Sequence, residues 1–447
     1  MIRLVLSDLV RQSRVWLGVL FVIIATGFVG AITAGLLETG SVHGGAVQEG
    51  LSSTASAVIM FTVITALVVL GSAANLTISL QLRTYALWQL VGVRPVLVGV
   101  VVLAQLGIVG LVGAFVGCLL ALPVFPSLFV WVFREWPDMQ GTSVHLGGVS
   151  ILIVTVAIGV VVLLGGLRSA RRAARTPPIE ALRDAEPPRV RMGWLRIVLT
   201  VATIGAVVAL ALNLDGGASM STFSGQAVLL TPLIAAVFAA AGPLLFPLVL
   251  RAWTAAIPAR ASATWLLARN SARYRLSRSN AAIGPLMVAI ALAGGLYTTA
   301  QTTAAAQAAR TGSDAGFSLA PEGVVILLGG PLLLSGVAAA ATVFMSSHAR
   351  GREFALIQAV GSTPPTILLV AVWEAVAYAV TAVILGAAAT GIGGFLIADA
   401  LDLPGAAVSF PAMGLISGGG LLLLLAATVF PTAAALRTEV PRALAVE

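Results

Sequence analysis

Apolar stretches longer than the roughly 20 residues that a helix needs to cross a bilayer's hydrocarbon core recur along this chain, and no water-soluble fold has room for them. Ten can be drawn, at roughly 15–37, 55–80, 96–122, 146–167, 197–214, 226–250, 281–303, 323–346, 367–398 and 412–434. Composition points the same way: 59% of the residues are hydrophobic and 9% charged, where about a quarter are charged in a soluble domain. The expected fold class is an all-α integral membrane protein with ten transmembrane helices. The first stretch, Trp16 to Leu37, is too long for a signal-peptide core, and further spans follow without a small-residue cleavage motif, so it reads as a retained helix.

The net charge of +8 would suit nucleic acid were it spread over a soluble surface, but its placement excludes that partner. With the N-terminus inside, all of the 25 basic residues except Arg134 and Arg310 fall on cytoplasmic segments. Glu38, Glu49, Glu135, Asp138, Asp215, Asp314, Glu322, Asp399 and Asp402 fall on external loops. Such one-sided arginine is the positive-inside pattern, and it puts both termini in the cytoplasm. The expected location is the bacterial cytoplasmic membrane. Every basic residue is arginine, so a Walker A loop, which needs a phosphate-contacting lysine, has no candidate. The chain is therefore not expected to be an enzyme, and any ATP hydrolysis falls to another chain. One cysteine, Cys118 in an apolar run, allows no disulfide, metal or redox framework. His43, His145 and His348 share no ligand spacing and read as solvated bystanders.

Self-similarity is visible when two turns between spans are superposed. RTYALWQLVGVRP (Arg83 to Pro95) and REFALIQAVGSTP (Arg352 to Pro364) lie 269 residues apart and share seven of thirteen positions. The same offset sets Gln105 against Glu374. RTPPIEAL (Arg175 to Leu182) similarly matches RTEVPRAL (Arg437 to Leu444), and LSDLVRQSR before the first span loosely matches LARNSARYR before the seventh. The chain divides accordingly into a four-span repeat (1–185), a connector holding spans five and six (186–260) and a second four-span repeat (261–447). Each unit starts on the same side and has an even number of spans, so the repeat is parallel, about an axis along the membrane normal. Both short helical turns then face one side, as a two-fold symmetric partner requires.

The turn RxxEFALIQAVGSTPxxI, followed by the in-span Glu374, resembles the core of FtsX/MacB-type ABC transporter permeases. The 4 + 2 + 4 order is similar to that of the bacitracin-export type in the same superfamily. The resemblance implies that the turns are coupling helices that dock on a homodimeric ABC ATPase, two copies per permease chain, with ATP and Mg bound on that partner and no cofactor in this chain. The implied coupling residues are Arg83, Tyr85, Ala86, Leu87, Gln89 and Gly92 in the first copy. In the second they are Arg352, Glu353, Phe354, Ala355, Leu356, Gln358 and Gly361. The residues suit that role, since Leu87, Leu90 and Val91 with Trp88 recur at helical spacing, while Gly92 and Pro95 end the helix. Two departures stand out. Thr84 replaces the acid at Glu353, and the external loops are short, where such permeases usually carry a large external domain. The longest, about Pro123 to His145, is long enough for one small amphipathic helix at the outer surface.

Glu374 is the one carboxylate placed within a span, where ionisable groups are costly and usually functional. A structural bond to a neighbouring helix, for example through Gln105, and a substrate or proton role both remain open. Small residues such as Gly113, Gly117, Gly386 and Gly391 are read as helix-packing sites. The arginine-rich stretches Leu167 to Pro178 and Ala268 to Asn280 are expected to attract anionic lipid headgroups. The expected function is export or extraction of a hydrophobic or amphipathic molecule such as an antimicrobial peptide, drug or lipid. The alternative is a mechanotransmitting or signalling protein that regulates a cell-wall hydrolase or sensor kinase.

Overall fold

The computed structural model describes residues 9, 13–175, 193–214, 220–258, 262–274, 276–311, 321–348, 358 and 361–436. The described residues are helical, without strands. The helices are α1 (Ser13–His43), α2 (Gly45–Leu90), α3 (Pro95–Val132), α4 (Gly148–Arg175), α5 (Trp194–Leu212), α6 (Met220–Ala240), α7 (Gly242–Ala256), α8 (Ala263–Tyr274), α9 (Leu276–Thr311), α10 (Pro321–His348), α11 (Pro364–Ala400) and α12 (Phe410–Ala435). Among the described residues nine are long and apolar enough to cross a membrane, which makes this a multi-pass membrane protein. The apolar part of α5, Arg196–Leu212, is shorter. At 1.5 Å per residue its length is about 26 Å, just under the roughly 30 Å hydrocarbon core.

The chain forms two compact units. The first contains residues 1–188 together with Glu322–Met345 of α10. Here α1 and α3 cross so closely that side chains larger than hydrogen have no room. A Cβ on Gly117 would run into the Ile24 carbonyl, and one on Gly27 into the backbone of Ala114. Small residues permit this approach, and in lipid close packing is what holds helices together. Cys118 is buried in the same seam, its thiol 3.6 Å from the Gly27 carbonyl. Towards the far end of α3, Phe125, Phe129, Phe133 and Trp136 stack with ring centroids 6.1, 4.8 and 6.0 Å apart. They cover Leu36, Leu51 and Met139. Leu334 of α10 packs on Ala25 and Val29 of α1, and Arg134 donates to the buried carboxylate of Glu322 at the start of α10.

The second unit contains residues 189–321 and 346–447. Its centre is α9, in which every residue from Ala281 to Leu296 is buried, as expected of a helix apolar on all faces. Helix α11 crosses α9 with Gly386 against Ile290, and Gly393 meets Thr231 of α6. Phe223, Leu230 and Ile234 of α6 share a core with Ala291 and Ile397. The short helix α8 sits beside α11: Trp265 packs edge-on against Trp373, with centroids 5.5 Å apart, and tilted on Trp253 of α7, 6.0 Å away.

Three elements differ from the sequence expectation. The expected sixth span, 226–250, is interrupted between α6 and α7, because Pro243 directly after Gly242 has no N–H with which to continue the ladder. The first coupling segment is not a separate short helix. It is the last two turns of α2, whose 46 residues reach about 69 Å, more than twice the hydrocarbon core. Helix α3 likewise runs on through Pro123 and Pro126 to Val132, so much of the expected outer loop is helix, followed by a single 3-10 turn at Pro137–Met139. The expected connector helices α5 to α7 pack within the second unit.

Candidate functional site

The turn from α2 to α3 is built by two residues. Gly92 takes φ 97, a left-handed conformation that ends helices at little cost only for glycine, and Pro95 starts α3 with its fixed φ and no orphaned N–H. Three bonds close the end of α2: Val91 N–H to Leu87 O at 3.2 Å, Gly92 N–H to Gln89 O at 3.1 Å and Val93 N–H to Trp88 O at 3.0 Å. On the other side, Leu97 and Val98 N–H donate to Arg94 O.

This turn has an inner and an outer face. Tyr85 and Ala86 are buried in their own unit, whereas Leu87, Leu90 and Val91 are 44%, 52% and 87% exposed. Val96, just past the turn, is exposed as well. Thr84, Trp88 and Gln89 are half-buried, and Arg83 lies within α2. The candidate span ends at Leu82, so Leu87, Leu90 and Val91 lie on the extension of α2 beyond it, whereas Val96 falls within the next candidate span. Of the residues the resemblance implies, Leu87 and Gly92 are presented outward, while Tyr85 and Ala86 face their own unit.

The second turn has the same backbone. Gly361 has φ 98, its N–H donates to Gln358 O at 2.8 Å, and Thr366 and Ile367 N–H donate to Thr363 O, each 269 residues after its first-turn equivalent. Gln358 is helical and half-buried. Arg352, Glu353, Phe354, Ala355 and Leu356 lie outside the described residues.

Below each turn is a buried polar group. The Tyr85 hydroxyl, a single donor, donates to Gln81 on its own helix, and Gln105 Oε1 of α3 lies 3.4 Å from the same hydroxyl. The hydroxyl therefore ties the end of α2 to α3 across the turn. Glu374 of α11 is buried and accepts a 2.6 Å hydrogen bond from Tyr378, one turn along its own helix.

Residues 324–440 match the family model described as FtsX-like permease C-terminal. That segment runs from α10 through α12 and includes the Gly361 turn and Glu374. The Gly92 turn lies outside it. No curated protein matches the chain. The match supports a membrane permease component of an ABC-type system, a family that normally pairs with an ABC ATPase.

Two groupings were hidden in the sequence. His43 and His145, expected as scattered, have rings 5.9 Å apart, and both lie within hydrogen-bond reach of Ser143 Oγ, at 3.2 and 3.0 Å. Sequence distance concealed the pair, and the α3–α4 hairpin brings it together. The second is an apolar cleft of about 620 Å³ in the first unit, between α1, α3 and α10. Phe21, Ile24, Phe28, Leu120, Val124, Leu333 and Val337 line it, with no charged side chain among the lining residues.

Proposed function

We propose that this chain is the permease subunit of an ABC-type transporter of the bacterial cytoplasmic membrane, driven by two copies of a separate ATPase, that exports or extracts a hydrophobic or amphipathic molecule. One observation carries the reading: α2 extends beyond its span and ends in an exposed cap of Leu87, Leu90 and Val91, with no aqueous reason to be apolar unless a partner covers it. The recurrence of its turn geometry at Gly361, inside the matched family segment, supports two such turns per chain, arranged as a parallel repeat with a docking cap at each. Two caps suit a two-fold symmetric ATPase dimer, with ATP and Mg held by that partner. The ten-span 4 + 2 + 4 order, both termini cytoplasmic, counts α5 as a span and α6 with α7 as one broken span. The apolar cleft beside α1 supports a substrate with a hydrocarbon portion.

The test is affinity purification of the full chain from native membranes. An ABC ATPase is expected at two copies per permease by native mass measurement. Leu90→Asp with Val91→Asp is expected to lower the ATPase recovered by at least tenfold without changing the melting temperature, since both side chains are solvent-facing. ATPase recovery unchanged by that double substitution would overturn the docking role.

A further inference from the structure

Helix α8 combines three features of a lipid-contacting element. Its inward face buries Thr264, Trp265, Ala268 and Ala272. Its outward face exposes Leu266, Leu267 and Tyr274, an apolar surface that water does not favour. Trp265 lies in a three-tryptophan group with Trp253 and Trp373, and tryptophan is the residue of the membrane–water boundary. These features suit a helix at the membrane–water boundary.

On the same helix Arg269 and Arg273 turn towards the end of α7. Arg273 donates to the Arg251 carbonyl at 3.0 Å and to Thr254 Oγ1 at 2.7 and 3.0 Å. Arg269 reaches the Ile257 carbonyl at 3.4 Å. These bonds satisfy helix-terminal carbonyls and place two cations at the negative end of α7. The exposed Arg251 adds a third positive charge beside them. Burial, then the charges of Arg269 and Arg251, hold the Arg273 guanidinium below its usual range. Among the described residues, none of the three has a carboxylate within ion-pair distance. Among the described residues, the buried Nε–H of Arg269 has no acceptor, and three crowded guanidinium groups with donors to spare have no carboxylate partner.

We propose that Arg251, Arg269 and Arg273 form a binding site for the phosphate headgroup of an anionic membrane lipid, whose acyl chains lie along Leu266 and Leu267. Phosphate supplies the missing charge and the acceptor oxygens that guanidinium groups match geometrically, while the exposed leucines select an esterified phosphate over a free one. The proposal requires only that the chain spans the membrane.

The test uses the full chain in nanodiscs of phosphatidylcholine, alone or mixed equally with phosphatidylglycerol, followed by native mass measurement of retained lipid. Wild type is expected to retain phosphatidylglycerol in preference. Arg251→Gln with Arg269→Gln, which leaves the Arg273 cap on α7 intact, is expected to lose that preference by roughly thirtyfold, the scale for two basic groups near an anionic surface. Arg251→Lys with Arg269→Lys is expected to retain part of it, and an unchanged melting temperature distinguishes lost binding from lost folding. Inorganic phosphate at millimolar concentration is expected not to displace the lipid. Equal phosphatidylglycerol retention by wild type and the glutamine variant would overturn the proposal, as would full displacement by inorganic phosphate. Loss of ATPase recovery with lipid retention unchanged would overturn it too, by assigning the arginines to a protein partner. Intact ATPase recovery with lost lipid preference supports the lipid site and leaves the transporter reading unaffected.

Discussion

The helix crossing at Gly117 and the one at Gly386 occupy equivalent places, 269 residues apart, yet they are built to different tolerances. In the first unit a Cβ at Gly117 meets backbone, the Ile24 carbonyl and the Phe28 nitrogen. In the second, a Cβ at Gly386 meets the Ile290 side chain at 2.7 and 2.9 Å before it meets the Met287 carbonyl at 3.2 Å. One crossing sets backbone on backbone, and the other sets backbone on the root of a β-branched side chain. The overlap is deeper at Gly117, 2.2 Å against 2.7 Å at Gly386, so a small-residue position in the sequence does not reveal how much room lies beyond it.

The largest expected effect follows directly. Gly117→Ala forces α1 and α3 apart and is expected to cost about 3 kcal/mol or more, at or above the top of the usual overpacking range, seen as a large fall in melting temperature of the detergent-purified chain. Gly386→Ala is expected to cost less, about 2 kcal/mol, because the overlap with Ile290 is shallower. Equal costs at the two sites would erase the distinction between the crossings.

A smaller effect separates the units at their loops. Arg134 donates to the buried Glu322 in the first unit, and the equivalent position in the second repeat is Leu403. Removing the arginine leaves a carboxylate shut away from water without its cation, but the Arg134 side chain is 53% exposed, so solvent screens part of the loss. Arg134→Gln is expected to destabilise the chain by about 1–2 kcal/mol, and Arg134→Gln with Glu322→Gln to recover most of that. A double variant as unstable as the single one would show that the pair contributes no mutual stabilisation.

What could be read in advance divides along physical lines. Hydropathy reports which residues leave water, and the long apolar stretches duly appear as helices. Glycine and proline report backbone conformation, so Gly92, Pro95, Gly361 and Pro364 marked both turns. Neither signal reports where a helix stops being membrane-embedded while remaining helical, and α2 therefore continued unnoticed through Tyr85 and Ala86 to Leu90. The break at Gly242 and Pro243 leaves no mark in hydropathy, because its flanks are as apolar as a continuous span. Tyr85 and Leu87 are two residues apart, nearly opposite on a helix, and only tertiary packing decides which one faces a partner. The pairing of His43 with His145 and the grouping of Arg251 with Arg269 and Arg273 depend on loops and helices meeting, information that no local pattern carries.

The smallest expected effect bears on what the buried polar groups are for. The Tyr85 hydroxyl donates to Gln81 on α2 and lies 3.4 Å from Gln105 Oε1 on α3, a contact that resists separation of the two helices at the proposed docking cap. Tyr378 donates to Glu374 within α11, a bond that does not cross the Gly361 turn. Each tyrosine-to-phenylalanine change removes a donor at constant volume, with an expected stability loss of about 1 kcal/mol in either unit. Tyr85→Phe is expected to speed amide exchange over residues 84–95 and to lower permease-stimulated ATPase turnover, because the cap moves more freely against α3. Glu374→Gln keeps an acceptor for the Tyr378 hydroxyl and loses a charge that is costly in lipid, so it is expected to fold and to retain ATPase stimulation. Unchanged exchange over residues 84–95 in Tyr85→Phe would show that the tyrosine hydroxyl does not set the stiffness of the first turn.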